Sequence, residues 1–366
     1  MTGNFDKFTG TRPVAPQHAF DPARLAAWMR EHVDVAPAQD VTPAKAGAQF
    51  SVSQFKGGQS NPTYLVDDGK RRYVLRRKPP GKLLPSAHAV EREYRVMKAL
   101  AQTDVPVPRM YGLCEDPEVI GTAFFLCDYV EGRVLWDPTL PELTNGERGA
   151  HYDELNRVIA ALHRVDYQAL GLGDYGKPGS YLARQVDRWT RQYHASETEK
   201  IEAMDELIAW LPANIPPGED TSIVHGDYRI DNVIFHPTEP RILAVLDWEL
   251  STLGHPLADF AYHCMTWRMP EGAHGRGLAG VDLPSLGIPT EKEYVAMYCR
   301  RTGRADGIPH CDYYVAFNMF RLAAILQGVK ARALQGNAAS AEAHAAGSRT
   351  RAIAEEGWRQ AQRVKG

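Results

Sequence analysis

Three oxygen-bearing side chains, those of Asp227, Asn232 and Asp247, stand close to short apolar runs in the segment of residues 221–259. Apolar runs of this length bounded by turn residues predict buried strands, so each side chain lies near a strand end. That arrangement can bring the three side chains together. Two oxygen donors and a free carboxylate suit phosphoryl transfer, which uses hard oxygen ligands for magnesium and a base beside the attacking hydroxyl.

The supporting strands are predicted at residues 222–224, 233–235 and 243–246. Any one of the three polar residues alone could instead be an ordinary turn former, because Asp and Asn commonly cap and close loops. Their ordered occurrence between predicted strands favours the chemical interpretation.

Histidines lie in this segment and just beyond it. We interpret His225 as a hydrogen-bond donor that organises the loop, since Asp227 already supplies a base. His255 and His263 are only a weak indication of zinc, because they come without cysteine or an HExxH spacing.

The motifs HGDxxxxN and LDWE in this segment resemble the signature of the aminoglycoside phosphotransferase and choline kinase-like families, relatives of the protein kinases. The resemblance implies that Asp227 is the catalytic base and that Asn232 and Asp247 bind Mg2+. Trp248 and Glu249 replace the Phe-Gly that follows this aspartate in protein kinases. Glu249 is therefore either an auxiliary metal ligand or a residue that faces solvent.

A glycine-containing turn precedes these motifs and consists of Gly57, Gly58, Gln59, Ser60 and Asn61. Where side chains are missing, backbone N–H groups can approach phosphates closely, although an ordinary hairpin is the alternative. The turn resembles the GGxSN loop of aminoglycoside-kinase-like families, which implies that it binds the phosphates of ATP.

In protein kinases a lysine on the third strand contacts the phosphates and pairs with a helix glutamate. The resemblance places Arg76 at that position, and a guanidinium can also bind phosphate; Lys78 is the alternative. The predicted helix of residues 86–101 offers Glu91 and Glu93 as partners for Arg76. We favour Glu93, while Glu91 fits a surface ion pair equally well.

A further strand is predicted at residues 122–130. It resembles the strand-to-hinge segment with which kinases bind adenine through main-chain groups, here those of Asp128 and Val130. A buried edge strand is the alternative.

A β-rich first half and a helical second half predict an α+β fold. The resemblance implies that this fold is bilobal and of the protein kinase-like class, with a small antiparallel sheet and one helix in the N-lobe, a hinge, and a larger, mainly helical C-lobe. Asp21 and Pro22 mark the start of an earlier, short helix. The predicted helices of the second half lie around residues 155–162 and at 181–194, 198–210, 291–301, 312–335 and 339–364. The predicted domains are an arm with a helix (1–48), a nucleotide-binding N-lobe (49–127), a hinge (128–132) and a helical C-lobe with the catalytic loop (133–366).

Composition excludes little. The 366 residues include 42 Lys and Arg against 45 Asp and Glu, so no basic excess points to nucleic acid or membrane partners. The five cysteines are scattered without a CxxC pair, which is typical of reduced thiols. Neither an apolar leader nor a membrane-length apolar run is present in the sequence, so we expect a cytoplasmic protein.

The acceptor is suggested by a longer resemblance. The stretches KPPGKLLPSAHAVEREYRVMKAL and VPVPRMYGLCEDPEVIG resemble the kinase-type domain that animals carry fused to an acyl-CoA dehydrogenase, which is linked to phosphorylation of 4-hydroxyacyl-CoA. The resemblance implies an ATP-dependent small-molecule kinase whose alcohol substrate is a CoA ester.

Local charge agrees with an anionic acceptor. From Lys70 to Arg109 there are eleven Lys or Arg and three acids, which suits an acceptor of this kind near Lys82, although ATP phosphates and a solvated face explain most of the excess. The alternatives are an aminoglycoside or choline-like kinase, a nucleotide-binding pseudokinase with a regulatory role, and a metal-dependent phosphohydrolase.

Overall fold

The chain is described by a computed structural model for residues 9–33, 50–56, 61–81, 88–269, 277–334, 347 and 349–364. It divides into two compact units. The first unit consists of Met1–Arg133, Ile234–Pro237 and Leu243–Glu249, and the second of Val134–Val233, Thr238–Ile242 and Leu250–Gly366. The predicted domain limits stay a prediction.

The first unit is built on an antiparallel sheet with the spatial order β1-β2-β3-β4-β6-β5. Its strands are β1 (Thr11–Arg12), β2 (Ser51–Phe55), β3 (Thr63–Asp67), β4 (Arg72–Arg77), β5 (Met110–Cys114) and β6 (Phe124–Asp128). A hairpin turn joins β3 to β4, where Asp68 Oδ1 accepts the backbone N–H groups of Lys70 and Arg71. Since β6 lies between β4 and β5, the alternative of an edge strand is wrong.

Three helices accompany this sheet: α1 (Pro22–His32), α2 (Val90–Leu100) and α3 (Pro117–Ile120). The predicted start of α1 is confirmed, because Asp21 Oδ1 accepts a hydrogen bond from Ala23 N at 2.8 Å. Helix α2 starts later than predicted. His88 has a left-handed backbone (φ 59°), which a helical first turn cannot contain, and residues 82–87 lie outside the described part of the chain.

Helix α1 contributes to the hydrophobic core of the first unit. Leu25, Trp28 and Met29 pack with buried residues of β3, β4 and β6. The ring of Trp28 lies so close to Gly112 in β5 that a Cβ there would come within 2.8 Å of it. Only glycine allows this contact.

The side chains of β4 alternate between the hydrophobic core and the opposite face of the sheet. Tyr73 and Leu75 are fully buried in the core. Because successive side chains on a strand point to opposite faces, Arg76 projects from the other face of the sheet. Its guanidinium reaches Glu93 of α2 there.

The second unit is mainly helical. Its helices are α4 (Asn145–His163), α5 (Tyr181–Ser196), α6 (Glu202–Ala213), α7 (Pro256–Arg268), α8 (Leu283–Leu286), α9 (Glu291–Thr302), α10 (Cys311–Leu334) and α11 (Thr350–Arg363). The strands after residue 133 are β7 (Ser222–Val224), β8 (Val233–Phe235), β9 (Ile242–Val245) and β10 (Thr252–Gly254). Strands β7 and β10 pair antiparallel, and β8 and β9 form another two-stranded sheet.

Some helices of the second unit begin at residues other than those predicted from the sequence. A capping box of Thr144 and Glu147 begins α4 well before the predicted apolar stripe. Helix α6 begins at Glu202, later than the predicted residue 198. The predicted start of the last helix at residue 339 lies outside the described residues.

All five cysteines are free thiols, in agreement with the sequence interpretation. None of the helices in the described part of the chain combines the length and the apolar character needed to cross a bilayer.

Candidate active site

The loop after β7 is held in shape by one glycine. Gly226 has φ 84°, and a Cβ there would lie 2.9 Å from the carbonyl oxygen of Leu250, so a larger residue would disturb both the backbone and its neighbour. A short 3-10 turn, Ile230–Asn232, closes the loop before β8. This turn returns the side chain of Asn232 to Asp227.

The carboxylate of Asp227 is oriented through both oxygens. Asn232 Nδ2 donates to Oδ2 at 2.9 Å and to the backbone oxygen of Asp227 at 2.8 Å. The hydroxyl of Tyr262, on α7, donates to Oδ1, and Arg229 Nε lies 3.4 Å from the same oxygen. The Asp227 side chain nevertheless stays 19% exposed, so a substrate hydroxyl can reach it.

Tyr262 is suited to the donor role. Burial and the neighbouring carboxylate of Asp227 raise the pKa of Tyr262, so its hydroxyl keeps its proton across the physiological range. Neither Tyr262 nor its contact was predicted, because the residue lies 35 positions beyond Asp227.

The backbone of the loop is anchored by Asp259 of α7. Its two carboxylate oxygens accept the N–H groups of His225 and Gly226, each at 2.8 Å, and Oδ2 also accepts from His163 Nε2 at 3.1 Å. Burial alone would raise the pKa of Asp259, but the hydrogen bonds and charge supplied by His163 and His225 lower it. Asp259 therefore holds a buried negative charge under the loop.

The histidines take structural positions. His225 Nδ1 accepts the N–H of Asp227 at 3.2 Å, so it organises the loop as predicted, here as an acceptor. His255 Nδ1 accepts the N–H of Leu257 and caps α7. His263 Nδ1 donates to the carbonyl of Tyr228, which leaves Nε2 to accept from the hydroxyl of Tyr294.

In the first unit, Arg76 gathers three carboxylates. Its Nε donates to Glu93 at 3.1 Å, and its Nη2 donates to Asp247 at 3.0 Å and to Glu249 at 3.2 Å. Lys78, the alternative to Arg76, pairs with Glu91 at 2.9 Å. Three carboxylates around one guanidinium leave a formal excess of two negative charges.

Burial perturbs this cluster. Loss of water raises the pKa of Glu93 to about 7, the charge of Arg76 opposes that rise, and the charges of Asp247 and Glu249 add to it. Asp247 has a left-handed backbone (φ 62°), and the 3-10 turn Trp248–Leu250 follows at once. This sharp change of direction places both Asp247 and Glu249 on the same guanidinium.

The structure describes only some of the residues that were predicted to bind the nucleotide. Gly57, Gly58, Gln59 and Ser60 lie outside the described residues. The side chain of Asn61 is buried, where Nδ2 donates to Glu93 at 3.1 Å and Oδ1 faces His88 Nδ1 at 3.0 Å. Asn61 thus positions Glu93 with its side chain.

The predicted hinge begins where β6 ends. The backbone N–H of Asp128, the last residue of β6, donates to Arg109 O at 2.9 Å, and its carboxylate accepts from Tyr111 at 2.7 Å. Val130 follows two residues beyond the strand and is partly buried. Whether these two residues contact a nucleotide stays a prediction.

The sequence of this chain is similar to those of known proteins. The sequence model described as the phosphotransferase enzyme family matches residues 51–297. The chain is 51% identical over 306 residues to acyl-CoA dehydrogenase family member 10 of Mus musculus, covering 83% of this chain and 28% of that protein. It is 43% identical over 358 residues to family member 11 of Gallus gallus, covering 97% and 45%. The chain therefore spans less than half the length of either curated relative.

Solved structures agree on the fold. A candidate aminoglycoside phosphotransferase from Ralstonia eutropha JMP134 superposes with a TM-score of 0.84 at 55% identity, covering 94% of this chain and 99% of that one. Choline kinase from Cryptosporidium parvum Iowa II superposes with a TM-score of 0.60 at 12% identity, covering 92% and 95%. The second likeness shows the fold alone, and together they confirm the predicted α+β protein kinase-like class.

The fold and the family match together define a kinase-like phosphotransferase. The chain belongs to the phosphotransferase enzyme family, whose model covers β2 through most of α9.

Proposed function

We propose that this protein transfers the γ-phosphoryl group of ATP to an alcohol, and that the alcohol is a hydroxyacyl-CoA. The observation that carries the proposal is the carboxylate of Asp227, which Asn232 and Tyr262 hold at both oxygens while part of it stays exposed. A fixed, accessible carboxylate is what a phosphotransferase needs beside its acceptor.

Asp227 acts as the base. It orients the acceptor hydroxyl and takes up its proton as the alcohol oxygen forms a bond to the γ-phosphorus and the bond from that phosphorus to the ADP oxygen breaks. Asn232 and Tyr262 keep the carboxylate aligned through the transfer. Asp259 keeps the loop that carries it in place.

The residues present fit magnesium. Asp247 and Asn232 are the ligands we propose, with Glu249 as an auxiliary one, and all three offer the hard oxygen donors that this ion prefers. No three His, Cys, Asp or Glu side chains among the described residues form a ready-made metal site. Magnesium in kinases takes most of its ligands from phosphates and water, so a few protein oxygens suffice for it. When bound, the ion neutralises charge on the phosphates.

Electrostatics supports the same assignment. The two carboxylates of Asp247 and Glu249 beside Arg76 exceed the charge of its guanidinium, and this negative excess suits a divalent cation. We propose that Arg76 contacts the phosphates from its place beside Glu93, together with the loop from Gly57 to Asn61. The main chain at Asp128 and Val130 is the proposed adenine contact.

The acyl-CoA assignment rests on two supports. The curated relatives at 51% and 43% identity bear the name acyl-CoA dehydrogenase family member, although this chain spans only part of each. The basic excess between Lys70 and Arg109 would suit the phosphates of CoA, and Lys82, which lies outside the described residues, is the proposed contact.

A second acceptor class has its own support. The solved structure at 55% identity belongs to a candidate aminoglycoside phosphotransferase, which favours an amino sugar. ADP release should be measured with ATP and magnesium in the presence of 4-hydroxyacyl-CoA, choline, a sugar alcohol or kanamycin.

The screen separates the alternatives. Turnover with the CoA ester supports the proposal, whereas turnover with kanamycin alone rejects the acceptor and keeps the kinase. ADP release without any acceptor would indicate a phosphohydrolase, and nucleotide binding without turnover a pseudokinase.

A further inference from the structure

Arg321 of α10 places a buried cation beside the loop that carries Asp227. The residue is 7% exposed, and its Nη2 donates to the carbonyl oxygen of Gly226 at 2.9 Å. Its Nε has no hydrogen-bond partner among the described residues. The ion pairs that α10 does make belong to Asp312 and Lys330. Arg321 therefore makes no direct ion pair with another described residue, and the buried carboxylate of Asp259 is bonded to the N–H of the same Gly226 instead.

Two aromatic rings frame this cation. The central carbon of the guanidinium lies 5.4 Å from the ring centre of Tyr262 and 5.8 Å from that of Trp189 on α5. Because the hydroxyl of Tyr262 donates to Asp227, a single side chain separates Arg321 from the proposed base. An acceptor held by Asp227 through its hydroxyl can thus meet Arg321 with a group several bonds away.

Anchoring the loop does not require a charge. The carbonyl of Gly226 needs one N–H donor, which a neutral amide side chain would provide. Burying a guanidinium whose Nε has no acceptor among the described residues is costly, so its presence is better explained if a ligand supplies electron-rich oxygen.

The surrounding charge is mostly positive. Burial raises the pKa of Tyr181, the carboxylate of Asp259 adds to that rise, and the positive charges of Arg321, Arg184 and Arg188 act against it. The two additional arginines lie on α5, the helix that carries Trp189. This side of the second unit is thus better suited to an anionic or carbonyl-bearing molecule than to an amine.

We infer that Arg321 selects the acceptor: its guanidinium binds a carboxylate or thioester carbonyl oxygen of the alcohol whose hydroxyl faces Asp227, and it disfavours cationic amino alcohols. The inference rests on the proposed kinase function and adds a residue that determines specificity. A planar guanidinium with N–H groups at its edge is well suited to such an oxygen.

The test compares wild type with Arg321→Gln and Arg321→Lys. Arg148→Gln is the matched control, because Arg148 is also buried in this unit and also donates to backbone carbonyls. Steady-state rates are measured with 4-hydroxyacyl-CoA, the free 4-hydroxy acid and choline, and thermal melting checks that each variant is folded.

Loss of a charge-assisted hydrogen bond predicts that Arg321→Gln raises the KM for the oxygen-bearing acceptor about tenfold or more, with the KM for ATP within about twofold. Arg321→Lys should recover part of this loss, and Arg148→Gln should leave the acceptor KM unchanged. A loss confined to the free acid identifies a carboxylate contact, and a loss with the ester identifies the thioester carbonyl. The preference for choline should rise in Arg321→Gln.

Two results overturn the inference. In the first, Arg321→Gln leaves the acceptor KM and the acceptor preference unchanged. In the second, kcat falls equally for every acceptor and Arg321→Lys does not restore it, which would show that Arg321 has a purely structural role. If wild type phosphorylates none of the acceptors, the proposed function fails, and calorimetric binding of 4-hydroxyacyl-CoA still decides about Arg321. Binding by wild type that weakens in Arg321→Gln supports its role, and equal or absent binding rejects it.

Discussion

Replacing Asp259 by asparagine should both destabilise the protein and slow turnover. The carboxylate is buried and accepts the backbone N–H groups of His225 and Gly226 at 2.8 Å and His163 at 3.1 Å. Asparagine keeps one accepting oxygen and puts an NH2 group in place of the other. At least one backbone N–H of the loop therefore loses its acceptor and faces a second donor.

The magnitude follows from these contacts. One hydrogen bond to a charged group contributes about 1.5–3 kcal/mol, and leaving a buried donor unsatisfied costs about 1–3 kcal/mol. We expect Asp259→Asn to lower the free energy of unfolding by about 3–5 kcal/mol, as for other broken buried pairs. Displacement of the loop should also reduce kcat by about a hundredfold, because small shifts of a catalytic group are costly.

Urea unfolding and initial-rate measurements check both effects. Asp166→Asn is the matched control, because Asp166 also accepts two backbone N–H groups, at 3.0 Å each, but in an exposed loop. The free energy of unfolding of Asp166→Asn should fall by less than about 1 kcal/mol, since water replaces the lost hydrogen bonds. If Asp259→Asn is no more destabilising than Asp166→Asn, or keeps wild-type kcat, Asp259 does not anchor the loop as described.

Three further predictions concern the site and the buried histidines. Asp227→Asn should keep nucleotide affinity and lose about a hundredfold or more in kcat, because it removes the base, and turnover close to wild type would exclude that role. Asp247→Ala should weaken the dependence of nucleotide binding on magnesium in calorimetric titrations, and an unchanged dependence would remove Asp247 from the ligand set. Stability should fall as pH drops from 6.5 toward 4, because burial lowers the pKa of His263 from 6.5 to about 4, so that the unfolded chain binds the proton first. Denaturant titrations should show that protonation of His263 lowers the free energy of unfolding by an amount approaching about 3 kcal/mol. His263→Gln should make the dependence of stability on pH less steep but should not abolish it, since the pKa of His255 shifts in the same direction. An equally steep dependence in the variant would contradict the assignment.

The resemblance to kinase-like families was enough to predict one central contact of the first unit. It gave Arg76 the position of the third-strand lysine and favoured Glu93 of the following helix as its partner, and their ion pair is present at 3.0 Å. The two short strands around the catalytic loop, β7 and β8, were also correct to the residue. For both strands the decisive pattern lies within one element.

Helix α7 and strand β10 were missed for a different reason. Residues of α7 are buried on nearly every face, so the helix lacks the polar stripe from which an amphipathic period is read. Strand β10 has three residues, too few to show alternation. Pro256, which follows His255 at the start of α7, was the available signal for a helix.

The partners of the loop could not be found from spacing. Asp259, Tyr262 and Arg321 contact it across 34, 35 and 95 positions of sequence. Separations of this size follow from tertiary packing, which a single sequence does not encode in any local period. One signal existed: Asp259 stands among apolar residues, and a carboxylate in a buried stretch requires hydrogen-bond donors.

The contact between Trp28 and Gly112 has a practical consequence for cutting the chain. The family match begins at residue 51, yet Trp28 also packs its ring 4.9 Å from that of Phe124 in the interior of the sheet. A fragment that starts at the family boundary would leave an aromatic patch on β5 and β6 open to water. Such patches drive self-association, so a shortened protein should precipitate or form oligomers before its chemistry can be measured. The family match and the hydrophobic core thus give different first residues for the same folding unit.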